Sequence, residues 1–137
     1  MEKLVSVTTS KQLDIDSQKR YKIDPLILME QAGTRAYNAL IDFLDKKVFD
    51  KNRIVFVVGG GNNGGDALVM ARLAYLDNCK DFSIVMVNSP SSSLCLEQFN
   101  ICTNLKFPII DYFEQKNRAE QIIKEANVIV DGITGLG

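Results

Sequence analysis

A chain of 137 residues with 46% apolar and 24% charged side chains has room for one globular domain with a real core. Its net charge of −1 offers no basic field to nucleic acid or an anionic membrane, and its lack of histidine excludes histidine triads and histidine-held metals. Three cysteines, Cys79, Cys95 and Cys102, without a C-x-x-C pair, suggest neither a disulfide framework nor a zinc site and fit a reducing cytoplasm.

The opening "MEKLVSVTTS" lacks the apolar run of a signal peptide, and no segment reaches the roughly 18 apolar residues of a membrane span. Thr9 and Gln12 form a T-x-x-Q capping box, which predicts a short helix to about Tyr21. Asp24-Pro25 is a second start signal, an aspartate cap followed by proline at the first helical position. Leu28, Met29, Ala32, Ala36, Ala39, Leu40 and Phe43 then recur at three- and four-residue steps, predicting a helix to about Asp45. "IVFVV", Ile54–Val58, reads as a strand buried on both faces.

After the glycine-rich turn "GGGNNGGD", Ala67, Val69, Met70, Leu73, Ala74 and Leu76 predict a helix ending near Asp77-Asn78. "FSIVMV" (Phe82–Val87) is a second buried strand, and "NSPSSS" hands a serine cap to a helix around Leu94–Asn104 that carries Cys95 and Cys102 as small hydrophobes. "FPIIDYF" (Phe107–Phe113) is a third strand, with Pro108 placing its start at an edge or bend. "QKNRAEQIIKEA" is a polar-faced helix, and "NVIVDG" (Asn127–Gly132) a fourth strand. The alternation of apolar strands with helices predicts an α/β fold with a parallel sheet covered on both faces. The expected strand order, by first appearance, is 3-2-1-4, which leaves the fourth strand as an edge with unpaired backbone groups and room for a homodimer.

Ligands in such sheets bind beyond the carboxyl ends of the strands, where the strand order reverses. Gly59, Gly61 and Gly64 satisfy G-x-G-x-x-G, but the second strand ends in Asn88 without the acid of a dinucleotide fold, and no G-K-[ST] follows. Asn62 and Asn63 either shape the turn or offer side-chain carbonyls to a ligand. Asp66 is read as a cap or brace at the following helix start, or as a ligand contact. So many glycines suggest close approach of a ligand to the backbone. Asp131, at the carboxyl end of the fourth strand, is either a turn residue or an oxygen ligand for a hard cation, with Thr134 and the glycines of "GITGLG" closing the site.

"VVGGGNNGGDALVMAR" resembles the G-x-G-N-N-G-G-D-G loop of the YjeF N-terminal domain family, the NAD(P)H-hydrate epimerases. "DPLILMEQAGTRAYNAL" resembles its L-M-E-x-A-G helix, and "VDGITGLG" its V-D-A-x-x-G-T-G-L block. The resemblance spans nearly the whole chain and implies a Rossmann-like three-layer α/β/α sandwich with a mainly parallel sheet. It implies one domain over 1–137, incomplete at its C-terminus after the fourth strand. The implied reaction interconverts the R and S epimers of hydrated NADH or NADPH, upstream of a fused or separate dehydratase.

By the same resemblance Asn62, Asn63, Gly64, Gly65 and Asp66 form a substrate-binding loop, Gly135, Leu136 and Gly137 begin a second one, and Asn63 and Asp131 are ligands of a potassium ion. The family's proposed catalytic aspartate, in a D-x-P-S-G block, falls beyond Gly137, so no catalytic residue is assigned here. Ala67 stands where the family has glycine. The alternative is a non-catalytic YjeF-type scaffold with a dimerising and RNA-binding role, disfavoured by the intact "NNGGD" and the absence of a basic balance. A small-molecule kinase lacks any phosphate-gripping lysine motif.

Overall fold

The computed structural model describes residues 3–6, 23–44, 52–79 and 81–133. The predicted capping box at Thr9, and Thr134, Gly135, Leu136 and Gly137, lie outside the described residues. The elements in chain order are β1 (Lys3–Ser6), α1 (Pro25–Phe43), β2 (Ile54–Val58), α2 (Asn62–Leu76), β3 (Phe82–Met86), α3 (Ser93–Asn104), β4 (Ile109–Asp111), α4 (Lys116–Glu125) and β5 (Val128–Gly132).

All strand pairs are parallel, in the order β1-β5-β2-β3-β4. The four predicted strands stand in the predicted order, with β2 at the centre. The expected edge does not: β1 lies along β5, with Lys3 opposite Val128 and Ser6 opposite Asp131, so β5 is paired on both sides. "KLVS" is too short to show either alternation or a long apolar run, and its strand character comes from its neighbour. β4 is also shorter than the predicted Phe107–Phe113. Pro108 precedes it, and Asp111 Oδ1 accepts from the N–H groups of Phe113 (2.9 Å) and Glu114 (3.1 Å), turning the chain out of the sheet.

The strand residues split by parity. Ile54, Phe56, Val58, Ile84, Val128 and Val130 pack under α1, α2 and α3, while Val55, Val57, Val85, Ile110 and Ile129 face the α4 side with Ala119. This is the expected three-layer arrangement. Burying a Phe56 or Leu40 side chain completely contributes roughly 1.5–3 kcal/mol each.

Helix ends follow local chemistry. Asp24 caps α1 by accepting from Leu26 N at 2.8 Å, with Pro25 first in the helix. Ser92 caps α3 by accepting from Cys95 N at 3.1 Å. α2 and α3 end alike, each through a residue in the left-handed region. Asn78 (φ 63°) lets Cys79 N reach Ala74 O at 2.9 Å, and Lys106 (φ 61°) lets Phe107 N reach Cys102 O at 3.2 Å.

Candidate active-site crevice at the carboxyl ends of the central strands

The chain leaves β2 to one side of the sheet and returns through β5 on the other, so the strand order reverses between β2 and β5. Gly59–Gly61 and the residues after β5 flank that crevice. They are tied together where Gly59 N donates to Gly132 O at 3.1 Å.

α2 begins at Asn62, five residues before Ala67, where its apolar pattern starts. Its cap is Gly61, with no side-chain cap bond. The capping reading of Asp66 is therefore corrected: Asp66 is the fifth residue of the helix, buried at 7% exposure, and not at its start. Asparagine and glycine are poor helix formers, but here tertiary packing overrides propensity. Gly61 and Asn62 are exposed to the crevice, and the residues from Asn63 to Ala71 are buried.

The glycines have different tasks. A Cβ at Gly64 would collide with the Gly59 carbonyl, and one at Gly60 with the Ser89 carbonyl. A Cβ at Gly65 would lie 2.6 Å from Met29 Cε and 2.7 Å from its Sδ. These three let protein approach protein. Among the described glycines only Gly61 has a position where a Cβ would meet nothing within 4 Å, so the open approach to the turn is there. None of the described glycines has positive φ.

The carbonyls of the turn point into the protein. Gly60 O accepts from Ser91 N (2.8 Å), Ser92 N (3.1 Å) and Ser91 Oγ (3.0 Å), and Gly61 O accepts from Gly65 N (3.1 Å). Gly59 O faces the Cys95 thiol at 3.6 Å. With its oxygens turned inward, the turn offers the crevice N–H groups and the positive end of the α2 dipole, which suits an anion such as phosphate. The serines of "NSPSSS" that anchor Gly60 were legible only as a loop and a cap; nothing in the spacing ties them to the glycine turn.

Asp131 sits opposite Val57 in the sheet and accepts from Ile133 N at 2.8 Å, so one of its carboxylate oxygens does shape the turn after β5. Gly132 beside it brings the two loops into contact: a Cβ there would be 2.6 Å from Ala67 Cβ and 3.3 Å from the Asn63 carbonyl oxygen. The fold thus brings Asn62, Asn63, Gly64, Gly65 and Asp66 to one side of the crevice and Asp131 to the other.

Both nearby thiols are inert. Burial pushes the Cys95 thiol up to about 11 and the Cys102 thiol up to about 12, the latter against a smaller opposing pull from Arg72. A separate cleft of about 530 Å³ lies over the ends of β3 and β4, lined by Asn88, Ser89, Phe99 and Asp111 among others, and none of the predicted site residues lines it. Among the described residues no group of three or more histidine, cysteine, aspartate or glutamate side chains could hold a metal, and no helix is long and apolar enough to cross a membrane.

Residues 25–137 match the family model described as YjeF-related protein N-terminus. The chain is 36% identical to the NAD(P)H-hydrate epimerase of Lentilactobacillus buchneri over 79% of its length and 49% of that protein's. It is 33% identical to the bifunctional NAD(P)H-hydrate repair enzyme Nnr of Dictyoglomus turgidum, over 98% of this chain and 25% of that one. It therefore spans about half the length of such an epimerase and a quarter of the bifunctional protein. The crystal structure of yeast YNL200c superposes with a TM-score of 0.72 at 23% identity, over 97% of this chain and 57% of that one, a likeness of fold. With the family model covering the crevice and every helix around it, the chain belongs to the family of YjeF-related protein N-termini.

Proposed function

We propose that this chain forms the substrate-holding part of an NAD(P)H-hydrate epimerase, an isomerase that interconverts the R and S forms of hydrated NADH or NADPH. One observation carries this reading. The open Gly61 and the N-terminus of α2 meet the end of β5 at the reversal of strand order, where a dinucleotide's phosphates would find N–H donors and a helix dipole. The names of the relatives supply the substrate. Loss and return of the C6 hydroxyl needs an acid or base. Asp66 is buried in a helix and Asp131 is engaged in a turn, so neither is assigned that role.

Potassium fits the donor chemistry available. The Asn63 amide and backbone oxygens and the Asp131 carboxylate are hard oxygen donors, and Gly132 keeps side-chain atoms away from the Asn63 carbonyl. Asn63 and Asp131 would hold the ion, which would supply positive charge beside the substrate's phosphates. The work is assigned to the cytoplasm, alongside a fused or separate dehydratase. A homodimer is the expected assembly, checked by sedimentation.

Thermal unfolding with NADPH hydrate, NADPH, AMP or buffer, each with and without potassium, tests the reading. NADPH hydrate should raise Tm above NADPH, and potassium should enlarge the shift. Equal shifts for NADPH and its hydrate reject the substrate. The potassium increment should vanish in Asp131→Ala and persist in Asp111→Ala, whose carboxylate caps the distant turn after β4. Identical behaviour of the two variants rejects the ion site.

A further inference from the structure

Two of the three segments that carry the family resemblance lock together, residue against residue. α1 and α2 run side by side on one face of the sheet. Met29 fills the space beside Gly65, Gly33 makes room for Val69, and Tyr37 Oη donates to Asp77 Oδ2 at 2.6 Å at the far end of α2. These α1 residues are four apart, as are Gly65 and Val69, so one turn of α1 is matched to one turn of α2. A Cβ at Gly33 would lie 2.5 Å from Val69 Cβ and 3.2 Å from the Asp66 carbonyl oxygen, so the contact reaches the buried aspartate's own backbone. Between these steps Glu30 takes a hydrogen-bonded ion pair from Arg72, whose same nitrogen also faces Gln98 Oε1 at 3.3 Å. Arg72 is 17% exposed and Gln98 1%, so this bridge ties α1, α2 and α3 at partly buried positions.

None of these α1 side chains is placed at the crevice, yet Met29 touches α2 in its first turn and a half. We propose that Met29, Glu30 and Gly33 are positioning residues: their fit against Gly65, Arg72 and Val69 sets the depth and rotation at which α2 presents its leading N–H groups to the crevice. The functional weight of this placement rests on the substrate reading above, while the placement itself does not. The bulk of Met29 and the absence of a side chain at Gly65 are complementary. Adding a methyl at Gly65 with Met29 in place must displace the helix start, and removing the thioether gives that methyl its space back. The Glu30–Arg72 pair lies about two turns further along α2 and opposes sliding along the axis.

The test uses Gly65→Ala, Met29→Ala, the double variant, Glu30→Ala and Glu30→Gln in the whole chain. Two quantities are read below the unfolding transition of each protein: the amide 15N and 1H shifts of Asn62, Asn63 and Gly64 without ligand, and the Kd for NADPH hydrate. Gly65→Ala should move those shifts and weaken binding by about ten-fold or more, and the double variant should recover both. Glu30→Ala should move them in a protein that folds even if Gly65→Ala does not, and Glu30→Gln, which keeps an acceptor for Arg72, should recover most of the effect. A purely structural role predicts lower Tm with unchanged shifts and Kd; that result, or a double variant no better than Gly65→Ala, overturns the proposal. If the shifts move and recover while no variant, nor the parent, distinguishes NADPH hydrate from NADPH, the positioning stands and the substrate reading falls.

Discussion

α2 and α4 both cover the sheet, and they do so in opposite ways. Ten of the fifteen residues of α2 are buried, while Ala119 alone is buried in α4. α4 covers the sheet with a narrow apolar stripe, Ile122 and Ile123 half-buried beside Ala119, and keeps its charges in water. α2 is walled in by α1, α3, β2 and β5, and can be so only because its sides are cut down to glycine and alanine where backbones meet. A helix enclosed on most sides has little periodicity to read. Its signature is the small residues that let other chains close in, and here those residues also begin the site.

If enclosure is what distinguishes the two helices, substitutions of similar size should differ widely in effect. Gly64→Ala sets a methyl against the Gly59 carbonyl, backbone that cannot rotate away, and should lose stability at or beyond the upper end of the ~1–3 kcal/mol typical of overpacking, read as a fall in urea midpoint. Gly33→Ala meets Val69, a side chain that can shift with its helix, and should lose about 1–3 kcal/mol. In α4 the matching one-methyl change, Ala119→Gly, should lose about 1 kcal/mol from helix propensity with a small loss of burial. A Gly64→Ala protein as stable as Ala119→Gly would remove the contrast.

The smallest effect, read near pH 9, is a pH dependence from the thiols of the enclosed side. Cys95 and Cys102 face carbonyls of the glycine turn and of α2, at Gly59 and Leu68, and their folded values lie above the ordinary value of 9.0. Both states hold the thiol proton below pH 9, so stability from this source is fully present there. Above it the unfolded chain loses protons first, and stability falls as pH rises toward the folded values of about 11 and 12. At pH 9 the loss is roughly 0.4 kcal/mol per thiol, and it should disappear in Cys95→Ala/Cys102→Ala when the alkaline limbs of the two unfolding curves are compared.

Much of this architecture was legible residue by residue. Asp24-Pro25, Ser92, the apolar runs of β2, β3 and β5, and the strand order follow from capping, burial and connection rules that act locally or by topology. β1 was not, because four residues become a strand only when β5 supplies the partner. The start of α2 was not, because Asn62 to Asp66 carry loop propensities that tertiary contacts, those of Met29, Gly59 and Gly132 among them, overrule. The glycine turn follows β2 as its sequence indicates, and at Gly60, Gly64 and Gly65 the room left by the missing side chain is taken by other parts of the chain. Sequence records that a side chain is missing, and only the fold tells whether a ligand or another backbone takes its room.

The helical start of α2 also bears on how the molecule ages. Asn63 is followed by Gly64, the pairing in which the next backbone nitrogen most readily attacks an asparagine amide, expelling ammonia and closing a succinimide that water opens to aspartate or isoaspartate. That attack requires the Gly64 nitrogen to swing toward the Asn63 side chain, and a buried helical backbone withholds the motion. Each opening of the first turn of α2 exposes the bond to irreversible chemistry, so the contacts that seat this helix also set the chemical lifetime of the chain.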